Sequence, residues 1–157
     1  MKRTLKYVLT IAICFSALFS FTGCGKKKDT ISAEEFYSMM EERNFVIKDS
    51  KSEYSSHNEI LQSYVAAPPD LSFQIEFLVL ESDSSAKNMF ASNQRIFQSA
   101  SNEKLENSVS VANYEKYTLE SNGKYKVISR IDNTLVYVDA ELQYKPDVNN
   151  LLGEIGY

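Results

Sequence analysis

Leu71, Phe73, Ile75, Phe77 and Val79 alternate with Ser72, Gln74 and Glu76. This is the period of two by which a strand sends apolar side chains to one face and polar ones to the other. Leu78 and Leu80 then replace the polar face with leucines, which predicts cover on both sides at that end of the strand.

Three segments carry helical periodicity instead. In Ile31-Ser32-Ala33-Glu34-Glu35-Phe36, Ser32 is placed as an N-cap and Glu35 three residues later completes a capping box. A helix therefore starts at Ala33, with Phe36, Met39 and Met40 on one face, the glutamates Glu34, Glu35, Glu41 and Glu42 toward water, and Asn44 as a left-handed stop. Ser82-Asp83-Ser84-Ser85 opens a second helix, in which Ala86, Met89, Phe90, Asn93, Ile96, Phe97 and Ala100 recur at spacings of three and four. Its one polar member, Asn93, needs hydrogen-bond partners if buried. Pro146 suits the first turn of a short last helix, with Val148, Leu151, Leu152 and Ile155 on one side.

The remaining elements are shorter. Phe45-Val46-Ile47 is a brief strand, 49–59 is polar without a period, and 60–67 is a strand or the end of a helix, closed by Pro68-Pro69-Asp70. After a polar loop over 99–108, Val109 and Val111 and then Tyr117 and Leu119 mark strands interrupted near Ala112-Asn113. Asn122-Gly123 joins Tyr117-Thr118-Leu119 to Tyr125-Lys126-Val127-Ile128 as a type I′ hairpin, and Asp132-Asn133 repeats the device before Leu135-Val136-Tyr137-Val138. The expected fold is α+β, an antiparallel sheet of five to six strands with helices packed on one face, in the order α-β(β)β-α-βββ-α.

The beginning of the chain belongs to a different environment. Lys2, Arg3 and Lys6 precede fourteen residues, 8–21, with no charge, and Thr22-Gly23-Cys24 follows. A basic end, a short apolar run and small residues make an export signal; the run is shorter than the roughly 20 residues of a spanning helix. With a cysteine directly after Gly23, the pattern resembles a bacterial lipobox, from which it differs at Phe21, where Leu is usual. The resemblance implies cleavage between Gly23 and Cys24 and a diacylglyceryl group on the Cys24 sulfur. The expected organisation is a signal peptide over 1–23, a lipidated tether over 24–31 and one extracytoplasmic domain over 32–157, held at the cell membrane.

Processing changes the composition. Lys2, Arg3 and Lys6 leave while every acid stays, so fourteen basic residues face twenty-one acidic ones, a net charge of −7. That balance argues against nucleic acid as a partner. Cys14 leaves as well, so with Cys24 acylated the domain has no thiol for a disulfide, a nucleophile or a metal. Lys26-Lys27-Lys28 is a basic cluster beside the lipid site, either a membrane-surface contact or a solvated spacer.

Candidate chemistry is sparse. His57 is the only histidine, so paired-imidazole metal sites are excluded, and Ser55-Ser56-His57 lacks the strand-turn-helix context of a nucleophile. No calcium-loop spacing and no Gly-rich phosphate loop occurs, and no cofactor is implied. Glu76, Asp139 and Glu141 could meet across the sheet as acid/base carboxylates. Tyr114, Tyr117, Tyr125, Tyr137 and Tyr144 are either cross-strand packing or an aromatic platform for a glycan or peptide.

Phe73-Gln74-Ile75-Glu76-Phe77, the helix through Ala86-Lys87-Asn88-Met89-Phe90, and the run from Tyr125 through Asp132-Asn133 to Tyr137 together resemble small uncharacterised lipoproteins of Gram-positive bacteria. That resemblance implies no catalytic residue. The expectation is a membrane-anchored binding or interaction module for an envelope protein, peptide or glycan, with a carboxylate-dependent envelope enzyme or an accessory subunit of a membrane complex as the alternatives.

Overall fold

The computed structural model describes residues 26–99 and 105–157, so Gly23 and Cys24 lie outside the described residues. Its elements are α1 (Ala33–Glu42), β1 (Val46–Asp49), a 3-10 turn (Lys51–Tyr54), β2 (Ile60–Ala67), β3 (Ile75–Leu80), α2 (Asp83–Ser99), β4 (Leu105–Val111), β5 (Tyr114–Ser121), β6 (Lys124–Ile131), β7 (Thr134–Glu141), a second 3-10 turn (Leu142–Tyr144) and α3 (Lys145–Glu154).

All seven strands form one antiparallel sheet in the order β1-β2-β3-β7-β6-β5-β4. The first three strands meander inward from one edge. The last four meander back from the other and close against β3, so the two halves of the chain meet at the β3–β7 seam. The fold is α+β as the periodicities imply, with seven strands where the sequence predicts five to six. The count rises because 105–121 forms two full strands: β4 extends the strand marked by Val109 and Val111 back to Leu105, through residues expected as polar loop, and is exposed along its whole length. An edge strand with water on both faces needs little apolar alternation, and here only Val109 and Val111 supply it.

Cover on one face only is the second expectation that the structure corrects. On one side, Ala33, Phe36 and Met40 of α1 and Val148, Leu151 and Leu152 of α3 bury Ile75, Phe77, Val127, Ile131, Val136 and Val138, with Phe36 stacked on Phe77 at 4.7 Å between centroids. On the other, Ala86, Phe90 and Phe97 of α2 bury Ile60, Leu78, Leu80, Tyr117, Leu119, Ile128 and Leu135. The leucines that interrupt the polar face of β3 are part of this second core. A seven-stranded sheet with apolar residues on both faces needs both covers to remove that area from water, at about 25 cal/mol per Å².

Local chemistry sets the element ends. Both arms of the capping box form: the Glu35 amide donates to Ser32 Oγ at 3.1 Å and the Ser32 amide to Glu35 Oε2 at 2.7 Å. Asn44 takes φ 57°, as a left-handed stop requires, and Asn122 and Gly123 sit at φ 52° and 76° in the β5–β6 turn. The Ser85 amide donates to Ser82 Oγ at 3.1 Å at the start of α2.

The segment ahead of α1 is strapped to the domain. The Lys28 amide donates to Asn113 Oδ1 at 3.0 Å, Asn113 Nδ2 returns a bond to the Lys28 carbonyl at 2.9 Å, and Lys28 Nζ donates to the Gly156 carbonyl at 2.8 Å. The same ammonium lies 3.8 Å from the centroid of the Tyr114 ring. Thr30 Oγ1 donates to Asp132 Oδ2 at 3.2 Å, and Asn113 Nδ2 donates to that same oxygen at 2.8 Å. Residues 28–30 therefore follow the turns that link β4 to β5 and β6 to β7.

Candidate functional site

The α2 side of the sheet is not closed along its whole length. Between α2 and β2, β3 and β7 lies a cleft of about 710 Å³, lined by Tyr54, His57, Glu59, Ile60, Glu76, Leu78, Ser85, Asn88, Met89, Ser92, Asn93, Leu135 and Tyr137. Its size falls within the range that holds small ligands, about 300–1,000 Å³. Residue size accounts for the cleft: the α2 residues that line it include the small or polar Ser85, Asn88, Ser92 and Asn93, while Phe90 and Phe97 fill the core beside them.

Glu76 stands in the cleft wall at the centre of the sheet, paired in register with Tyr137 across the β3–β7 seam. Its Oε1 accepts from the Tyr54 hydroxyl at 2.7 Å and from Ser63 Oγ at 3.2 Å. Ser63 is itself buried and shares a 2.6 Å hydroxyl contact with Ser50, so the carboxylate is held from behind by a chain of hydroxyls. Tyr54 enters from the 3-10 turn after β1. Burial raises its phenol pKa well above the ordinary value, and the hydrogen bond to Glu76 and the charge of Glu76 add to the shift. Tyr137 is raised as well, by burial first and then by the charges of Asp139 and Glu76. At the rim, the His57 ring is 3.0 Å from Glu59 Oε1 and packs edge-on against Tyr54 at 6.2 Å.

Residues that the sequence leaves scattered meet here. Glu76, His57, Asn93 and Tyr137 line this one cleft. Asn93 spends its amide N–H on the Met89 carbonyl one turn back, at 3.0 Å, a bond that stays within its own helix. Tyr54 and Ser63 carry no sequence signal, because each acquires its role only through a partner in another element.

The other candidates are distributed. Asp139 pairs with Lys126 at 2.5 Å and Glu141 with Lys124 at 2.6 Å, each across the β6–β7 hairpin. The three carboxylates share a face without sharing a site. Tyr114 and Tyr125 point into the α1/α3 core and Tyr117 into the α2 core, all three buried, and burial pushes the Tyr117 phenol up to about 12. Tyr137 is the tyrosine of that group that reaches the cleft. Tyr144 packs obliquely against Phe73 on the opposite face. Among the described residues, no three His, Cys, Asp or Glu side chains gather as a metal site, and no helix is long and apolar enough to cross a membrane.

No family model, no curated protein sequence and no solved structure matches this chain significantly.

Proposed function

We propose that this protein is a lipid-anchored extracytoplasmic lipoprotein whose domain is a binding module, with its ligand site in the cleft between α2 and strands β2, β3 and β7. The anchor is supported by the signal pattern ending at Gly23-Cys24. The binding role is carried by one observation: the cleft interrupts an otherwise packed core and sets polar groups, Glu76 and Tyr54 foremost, in an apolar wall of Ile60, Leu78, Met89 and Leu135. Apolar walls with a few convergent polar groups are the usual composition of small-molecule sites.

The test is a fragment screen on the ¹⁵N-labelled full chain in detergent micelles, read by amide chemical shifts. Small neutral aromatic and aliphatic fragments are expected to perturb the amides of Ile60, Glu76, Met89 and Tyr137 together. Perturbations scattered over the surface, or gathered on the α1/α3 side, would remove the cleft from consideration.

A further inference from the structure

Beta strands β3, β5 and β7 place four carboxylates on the α2 side of the sheet, Glu76, Glu115, Asp139 and Glu141. Three of them have a base of their own: Glu115 receives Arg130 Nε at 2.7 Å, Asp139 receives Lys126 at 2.5 Å and Glu141 receives Lys124 at 2.6 Å. Among the described residues, Glu76 receives only the hydroxyls of Tyr54 and Ser63, both on Oε1, and no Lys or Arg lines the cleft it stands in. Hydroxyl donors orient a carboxylate and leave its charge in place. A half-buried charge without a counter-ion is costly unless a charged partner arrives.

The surroundings of Glu76 specify that partner. Tyr54 bonds to it directly, and Tyr137 lies opposite it in register. Two electron-rich rings beside an unpaired carboxylate attract a cation through both the ring quadrupole and the ion pair. Glu59 at the rim adds negative charge, and its carboxyl pKa is held low, chiefly by a backbone hydrogen bond and then by His57. The leucine, isoleucine and methionine walls suit a short hydrocarbon stem.

We infer that the cleft takes an organic ammonium group carried on a short apolar stem, the ammonium against Glu76 between Tyr54 and Tyr137, and the stem against Ile60, Leu78, Met89 and Leu135. This rests on the reading of the cleft as a ligand site and names the chemistry of what enters it. The group could be a free amine or the end of a lysine side chain, since both present the same cation and stem.

The experiment compares n-butylammonium, n-butanol and butyrate, equal in stem and different in charge, titrated into the ¹⁵N-labelled full chain in detergent micelles at fixed ionic strength. Butylammonium is expected to saturate the shifts of Glu76 and Tyr137 at a concentration at least tenfold lower than butanol, with butyrate weakest. Glu76→Gln, nearly isosteric, is expected to reduce butylammonium affinity at least tenfold and to leave butanol unchanged, and the same spectra report whether the variant is folded. N-acetyl-lysine amide and free butylammonium are then compared to separate a peptide side chain from a small amine. Equal affinity for butanol and butylammonium, or full affinity in a folded Glu76→Gln, overturns the ammonium assignment while leaving the cleft as a binding site. Failure of all three probes to reach the cleft, where neutral fragments do bind, overturns it as well; failure of fragments too removes the cleft itself.

Discussion

The guanidinium of Arg130 donates to the carboxylate of Asp83, joining the middle of the sheet to the first residue of α2. The arginine side chain is 2% exposed and also donates Nε to Glu115 at 2.7 Å and Nη1 to the Asp132 carbonyl at 3.0 Å. A single buried cation thus fixes where α2 begins and how it lies over β5 and β6, which in turn sets one wall of the cleft.

Removing that cation leaves Glu115 with its charge and no partner. Arg130→Ala is therefore expected to cost about 3–5 kcal/mol, the range for breaking a buried ion pair by removing one member. Arg130→Met, with Glu115→Gln to remove the stranded charge, is expected to recover most of the loss. Urea denaturation of the two variants beside the native chain measures this; equal midpoints for Arg130→Ala and the native chain would show that the pair contributes nothing.

Alkaline pH has its own effect. Burial raises the phenol pKa values of Tyr54 and Tyr157 beyond the usual tyrosine range, and Tyr157 keeps its hydroxyl against Thr134 in the core. A group with a raised folded pKa contributes stability that is fully present below its unfolded value, near 10 for tyrosine, and that is lost as the pH climbs through the folded value. Melting temperature is expected to fall above about pH 10, and to fall less steeply in the double variant Tyr54→Phe/Tyr157→Phe. The same slope in both proteins would assign the alkaline loss to other groups.

Asn113 is the clasp of the N-terminal strap, with bonds to Lys28 N, Lys28 O and Asp132. Asn113→Ala removes all three and is expected to cost about 1–3 kcal/mol locally. Hydrogen exchange at the Lys28 amide is expected to accelerate roughly fivefold or more, the factor carried by about 1 kcal/mol, with β6 and β7 unchanged. Unaltered exchange at Lys28 would mean that its ammonium bond to Gly156 suffices.

In the proposed lipoprotein, membrane attachment would depend on Cys24. Cys24→Ser is expected to move the protein out of the membrane fraction, or to leave it as an uncleaved precursor, without altering the melting curve of the domain. The native chain should carry acyl mass on the peptide that begins at Cys24. An unmodified Cys24 thiol on the native chain, or a substituted chain that is still cleaved and still fractionates with the membrane, would count against the anchor.

The sequence shows its regular elements because their burial is one-sided and periodic. Phe36 and Met40 mark α1, Phe73 to Val79 alternate as a strand should, and Asn122-Gly123 marks a hairpin whose turn takes the left-handed φ values that dipeptide favours. What escapes has physical causes. Strand β4 is wet on both faces, so its first half, 105–108, reads as polar loop, and α2 crosses to the far side because apolar residues such as Ile128 and Leu135 face there, a fact that depends on register. The strap shows as a polar spacer in sequence, since Lys28 becomes a fixed residue only when Asn113, Gly156 and Tyr114 converge on it. The cleft was legible as isolated members, and its organising contacts, Tyr54 and Ser63 on Glu76, were not.

The strap also limits how the domain can stand over a bilayer. If Cys24 is acylated as proposed, the backbone from it to the docked amide of Lys28 reaches about 14 Å at most, a leash that would be too short to let the body tumble. The edge nearest the lipids is then the row of turns at Asn113 and Asp132, and Asn133 bonds Leu80 there while the Glu81 amide bonds the Glu59 carbonyl. Glu59 and His57, at the mouth of the cleft, lie at this same end. Under the proposed anchor, the doorway would open into the thin aqueous film above the headgroups, where an anionic surface enriches small cations and thins out small anions before either meets the protein.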